Sequence, residues 1–132
     1  MQVTPYLMLD GRCEEALEFY KKAIGAEVGV LMRFNEAPEG ACAPSSGDKI
    51  MHSSFKIGDT LLMASDGNNA GRPEFKGISL SINAKDEADA DRMFKALGDG
   101  GQVQMPIDKT FFAKRFGVVA DKFGVNWMII AE

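Results

Sequence analysis

The chain has 132 residues, 45% of them hydrophobic and 26% charged, and a formal net charge of −4. That balance fits one soluble globular domain with enough chain to build a real core, and it argues against a nucleic-acid binder. The best basic cluster, Lys109, Lys114 and Arg115 among Phe111, Phe112 and Phe116, is a weak electrostatic footprint in so acidic a protein.

In chain order, residues 2–9 read as a strand, with Pro5 marking an edge position or a bend because it donates no ladder hydrogen bond. The stretch CEEALEFYKKAIG places Ala16, Leu17, Phe19, Tyr20, Ala23 and Ile24 on one helical face, with Gly25 as its C-terminal cap. Residues 27–34 form a second strand. Residues 35–48, rich in Pro, Gly, Ala and Ser, form a long loop of the kind that serves as a lid, an interface arm or a disordered segment. Two strands, KIMHSSFKI and TLLMAS, then flank the turn pair Gly58-Asp59.

After a turn-rich connector the order begins again. KGISLSI is a strand. KDEADADRMFKALG is a helix capped by Asp86, with Ala90, Met93, Phe94 and Leu97 on its apolar face. QVQMPI is a short strand, and FFAKRFGVVAD and VNWMII form a hairpin around Lys122-Phe123-Gly124. The chain therefore reads β-α-β-β-β twice: module one at 1–66, a connector at 67–75 and module two at 76–132. Leu17/Ala90, Tyr20/Met93, Ile24/Leu97 and Gly25/Gly98 share one offset, which points to a duplication. The expected fold class is α+β, two tandem βαβββ modules forming a curved mixed sheet around a cleft. Clefts of this kind are where small ligands usually bind.

This arrangement resembles the vicinal oxygen chelate superfamily of glyoxalases, extradiol dioxygenases and bleomycin- or fosfomycin-resistance proteins. Closer still, TPYLMLDGRCEEALEFYKKAIGAE, SFKIGDTLLMASD and TFFAKRFGVVADKFGVNWMI are similar to the PhnB-like branch, whose members often carry a demethylubiquinone methyltransferase label. The resemblance implies a homodimer and metal ligands on the first and last strands of each half. Counting along this sequence puts Pro5, Leu62, Gly77 and Met128 at those four positions. None offers an oxygen or imidazole ligand, so the expectation is no metal and no cofactor. A Rossmann-type methyltransferase needs a glycine-rich loop that opens a helix, and DGNNAG precedes none.

The remaining candidates each carry a plain alternative. His52 is the only histidine. Strand alternation puts it on one face with Ser54 and Leu62, where it would act as a general base or orient a ligand; otherwise a backbone carbonyl or a partner subunit satisfies it. Lys114, Phe116, Val118, Asn126 and Met128 should line the same cavity and suit a small, partly aromatic or amphipathic molecule; otherwise they simply fill the core. Trp127 has the opposite parity and should pack under a helix.

Most of the eight methionines read as core. Cys13 sits near a helix start, where the dipole can lower a thiol pKa, but no base is demonstrably near. Cys42 reads as an exposed or interface thiol. Asp66 and Asp121 read as turn formers.

The sequence thus leads to a metal-independent binder of a small organic molecule in the inter-module cleft, with His52, Ser54, Leu62, Lys114, Phe116, Val118, Asn126 and Met128 as its site. The alternative is a glyoxalase-related lyase, isomerase or dioxygenase using His52 or a nonstandard metal site. No signal peptide, membrane span or C-x-x-C pair appears, so a cytoplasmic protein with free thiols is expected, binding neither nucleic acid nor membrane.

Overall fold

Each half of the chain pairs one amphipathic helix with strands that are apolar on alternate residues, and each half folds by covering one sheet face with its helix. The computed structural model describes residues 1–36, 47–67 and 73–132. It divides into two compact units, Met1–Pro73 and Glu74–Glu132.

The first unit contains β1 (Tyr6–Met8), α1 (Cys13–Ile24), β2 (Glu27–Arg33), a 3-10 turn (Phe34–Glu36), β3 (Ile50–Ile57) and β4 (Thr60–Ser65). The sheet order is β1-β4-β3-β2, with β1 parallel to β4 and the other pairs antiparallel. The apolar stripe of α1 buries Ala16, Leu17, Tyr20 and Ala23, and the Tyr20 ring stacks on Phe55 at 6.0 Å between centroids. Leu7, Phe55, Leu62 and Ala64 complete this core from the sheet. Gly25 ends α1 at φ 69, a left-handed conformation that glycine adopts without steric cost.

No side chain caps α1 from its own N-terminus. Instead the buried Asp66, just past β4, accepts hydrogen bonds from the Cys13 amide (2.8 Å) and the Ile50 amide (2.6 Å). One carboxylate thus satisfies an orphan donor at the helix start and fixes the entry of β3. The turn-forming role expected for Asp66 is not what its side chain does: its oxygens bond amides 53 and 16 residues away, and Ser65 Oγ accepts from the Gly67 amide in the turn instead.

The second unit repeats the plan with β5 (Leu80–Asn83), α2 (Glu87–Gly98), β6 (Gln102–Asp108), β7 (Arg115–Ala120) and β8 (Asn126–Ala131). Its order is β5-β8-β7-β6, with β5 parallel to β8. Asp86 caps α2 by accepting from the Asp89 amide at 2.7 Å. Gly117 is required by packing: a Cβ there would lie 2.7 Å from the Phe94 ring and 2.9 Å from the Ile107 backbone. Asp121 accepts from the Phe123 and Val125 amides and from Trp127 Nε1, so it closes its own turn and anchors the buried indole.

Three strand expectations shorten. The strand expected at residues 2–9 is confined to Tyr6–Met8. The strand expected from residue 76 begins at Leu80, because Lys76 and Gly77 form a turn with Gly77 at φ 74. Residues 111–114 bend instead of extending β7, and Thr110 Oγ1 accepts from the Phe112 and Ala113 amides there. Most of the 35–48 loop, with Cys42, lies outside the described residues.

Candidate functional site

Because each helix covers one face of its sheet, most of the candidate side chains fall on the opposite faces. In the first unit that uncovered face is set by the register Tyr6↔Met63↔Ser54 and Met32↔His52. Leu62 is not on it. It pairs with Phe55, is 3% exposed and packs in the core with α1, so it leaves the candidate site. The hairpin turn explains the difference. Ile57↔Thr60 closes a two-residue loop, whereas Ala120↔Asn126 closes a five-residue one. Equating Gly58 with Gly124 therefore slips β4 by one residue, and a one-residue slip exchanges the faces. Met63 holds the uncovered position.

His52 is partly exposed on this face. Its Nδ1 lies 2.9 Å from the Tyr6 hydroxyl, with the two rings 5.7 Å apart. Tyr6 was not singled out from the sequence. Its alternation with buried Leu7 is the signal that marks it as facing away from the helix. Ser54 is present on the face, but its Oγ accepts from the Val30 amide (3.1 Å) and supports the irregularity in β2.

The methionines depart from expectation. Only Met93 is buried, while Met8 and Met32 are exposed and Met63 is intermediate. They fall on the uncovered face and on edge strands, where no helix reaches them.

In the second unit Phe116, Val118, Asn126 and Met128 share the uncovered face, and Lys114, just before β7, continues the same parity. Trp127 is 1% exposed on the opposite face, beneath α2. Phe116 meets Phe112 edge to face at 5.1 Å, and Phe112 meets Phe111 at 5.2 Å. An open hollow of about 580 Å³ is lined by Lys76, Gly77, Ile78, Ser79, Gln104, Asn126 and Met128. The Asn126 amide frames it, donating to the Phe75 carbonyl (2.7 Å) and accepting from Gln104 (3.1 Å).

The corrected uncovered positions on the strands that carry metal ligands in the superfamily are Tyr6 and Met8, Met63, Ser81, and Met128. Pro5 precedes β1, and Gly77 lies in a turn. These side chains offer hydroxyls and thioethers, not the imidazoles and carboxylates that hold divalent metals. Among the described residues no three His, Cys, Asp or Glu side chains come together as a metal site. Cys13 is fully buried, and burial pushes its thiol up to about 12, against the depression that the helix dipole would give. A thiol so placed is inert.

The family model described as 3-demethylubiquinone-9 3-methyltransferase matches residues 1–130. The chain belongs to this PhnB-like family. Protein PA1353 from Pseudomonas aeruginosa is 41% identical, with a TM-score of 0.90 over 100% of this chain and 98% of that one. The Bacillus cereus PhnB protein, titled a putative 3-demethylubiquinone-9 3-methyltransferase, is 27% identical, with a TM-score of 0.85 over the whole of both chains. Protein YjdN of Escherichia coli K12 is 33% identical over 98% of this chain and 94% of its own length. The fosfomycin resistance protein FosX of Listeria monocytogenes, at 10% identity, covers 100% of this chain and 93% of its own with a TM-score of 0.68. That likeness is one of fold alone, and it identifies the glyoxalase/bleomycin resistance fold.

The description of the PhnB-like family implies a methyl donor, and the residues present do not fit one. Dinucleotide-type sites use a glycine-rich turn between a parallel strand and the free amides of a helix start. Here the start of α1 is occupied by the Asp66 carboxylate and that of α2 by Asp86. Both are anions at the place where an anionic or nucleoside ligand would sit, so no methyl transfer follows from these elements.

Proposed function

We infer that this PhnB-like chain binds a small organic molecule on its uncovered sheet faces without a divalent metal, as a cytoplasmic homodimer. The observation that carries this reading is the side-chain set at the uncovered positions of β1, β4, β5 and β8, where thioethers and hydroxyls stand in place of carboxylates and imidazoles. The hollow in the second unit supports it. Its mixture of Met128 and Ile78 with the amides of Gln104 and Asn126 suits an amphipathic molecule with one or two polar groups.

Native mass spectrometry of protein purified without chelator, with a parallel metal assay, tests the reading. A dimer free of zinc, iron, manganese and nickel and carrying an organic adduct is expected. Stoichiometric divalent metal overturns it.

A second reading, an enzyme, is favoured by the 2.9 Å contact between Tyr6 Oη and His52 Nδ1. A hydroxyl that orients an imidazole leaves the other ring nitrogen positioned for proton transfer. His52→Ala separates the two readings. An enzyme loses turnover while retaining the ligand, whereas a binder loses no reaction.

A further inference from the structure

We propose that the hollow of the second unit takes a small amphipathic carboxylate, with the acid group held at the Lys76–Ser79 rim and the hydrocarbon tail laid on Ile78 and Met128. The inference rests on the organic-ligand reading and deepens it by giving the ligand an anionic head. Two features carry it.

The first is how Asn126 is engaged. Its amide nitrogen donates to the carbonyls of Phe75 (2.7 Å) and Ile78 (3.4 Å), and its oxygen accepts from Gln104 Nε2 (3.1 Å). One side chain on β8 thus draws the segment before β5 and the edge strand β6 together around the hollow. The same bonds occupy two of the backbone carbonyls that would otherwise recognise a cation.

The second is the donor set that remains. Lys76 is the only charged residue of the lining, and no carboxylate stands with it there. Glu74 meets Lys76 Nζ at 3.5 Å from outside the lining, and with both side chains more than two-thirds exposed the pair is weak. The flexible stem of Lys76 lets its ammonium exchange that partner for a ligand's acid group. Gln104 keeps one N–H beyond its bond to Asn126, and the Ser79 hydroxyl adds a further donor at the same rim. A Cβ on Gly77 would meet nothing within 4 Å, so the space beside that turn is open. The apolar part of the lining completes the match. Ile78 is 60% exposed, and a tail laid over it and Met128 removes that surface from water.

The test is an amide and methionine-methyl NMR titration of the full chain with hexanoate, hexan-1-ol and hexylamine, which share a tail and differ in the head group. Hexanoate should give saturable shifts at the Gly77 and Ser79 amides, the Gln104 side-chain amide and the Met128 methyl, while the buried Met93 stays in place. Hexan-1-ol should bind at least about tenfold more weakly, because it forgoes hydrogen bonds to a charged acceptor. Hexylamine should give no saturable shift there.

Lys76→Gln should weaken hexanoate about fivefold and leave hexan-1-ol unchanged. Gln104→Glu, which sets a carboxylate into the lining, should abolish hexanoate binding and admit hexylamine. Both positions are exposed, and a dispersed amide spectrum verifies that each variant is folded. Equal affinity for hexanoate and hexan-1-ol, or hexanoate shifts that miss the hollow or never appear, would overturn the anionic head. None of these outcomes involves a metal, so failure here is distinct from failure of the binding reading, which turns on stoichiometric divalent metal.

Discussion

Asp121 and Cys13 show how single buried groups fix this protein. The Asp121 carboxylate is 3% exposed, and its donors include two amides of its own turn and the Trp127 indole. Asp121→Ala leaves those donors buried without an acceptor and should lower unfolding stability by about 3 kcal/mol. Urea unfolding followed by fluorescence reads this cleanly, because Trp127 is the only tryptophan.

Cys13 carries a different prediction. Its folded thiol is pushed up to about 12, above its unfolded value, so the folded state holds the proton more tightly. Stability is therefore intact below about pH 9 and falls as pH rises toward the folded value. The urea midpoint should drop more steeply between about pH 8.5 and 10.5 in the native chain than in Cys13→Ala. Parallel slopes would show that other groups govern the alkaline limb. The sequence shows that Cys13 begins a helix. It does not show Ser53 meeting the thiol or Asp66 accepting from the Cys13 amide, because those contacts cross 40 and 53 residues of chain.

Between helix and sheet the ties are few and specific. Arg33 on β2 bonds Glu14 of α1, and Arg115 on β7 bridges Glu87 and Asp91 of α2, so each unit fastens its helix by an arginine from a strand. The Arg33 guanidinium holds the Glu14 carboxyl below its ordinary range. Asp66 is the stronger joint, since it is buried and serves α1 and β3 together. Asp66→Ala should cost about 2–4 kcal/mol and strip hydrogen-exchange protection from the Cys13 and Ile50 amides first.

The elements themselves were largely legible. Helical periodicity located both helices, and Gly25 and Asp86 marked a stop and a start that the backbone adopts. The face of β4 was not legible, because it depends on how many residues the turn consumes, and Gly58 and Gly124 sit in turns of different length. His52 and Ser54 survived that error, and Leu62 did not. Tyr6 was hidden for a related reason: only the parallel register with β4 carries it toward a histidine 46 residues away.

At the scale of the whole chain, two units of the same plan, each a four-stranded mixed sheet with one covering helix, define the fold. Repeated periodicity makes such a plan readable. What the uncovered faces meet is not readable in the same way, because burial does not dictate their side chains. A methyltransferase description attached to this architecture makes a testable demand. Adding S-adenosylmethionine at millimolar concentration should leave the thermal midpoint unchanged, since both helix starts are closed by carboxylates. A site saturated a hundredfold would add about 2.7 kcal/mol and raise the midpoint by several degrees.

Met8, Met32 and Met63 stand outside the core on one side of a single sheet. A surface paved with thioethers is chemically perishable in a way that an aliphatic one is not. Each sulfur exposed to peroxide gains an oxygen, and with it a large dipole and a new stereocentre. The same surface would then turn from oily to wet while the helix side of the sheet, with its leucines and aromatics, stayed as it was. Such a protein ages from one face inward, and a reductase for methionine sulfoxide would restore it without the chain having to unfold.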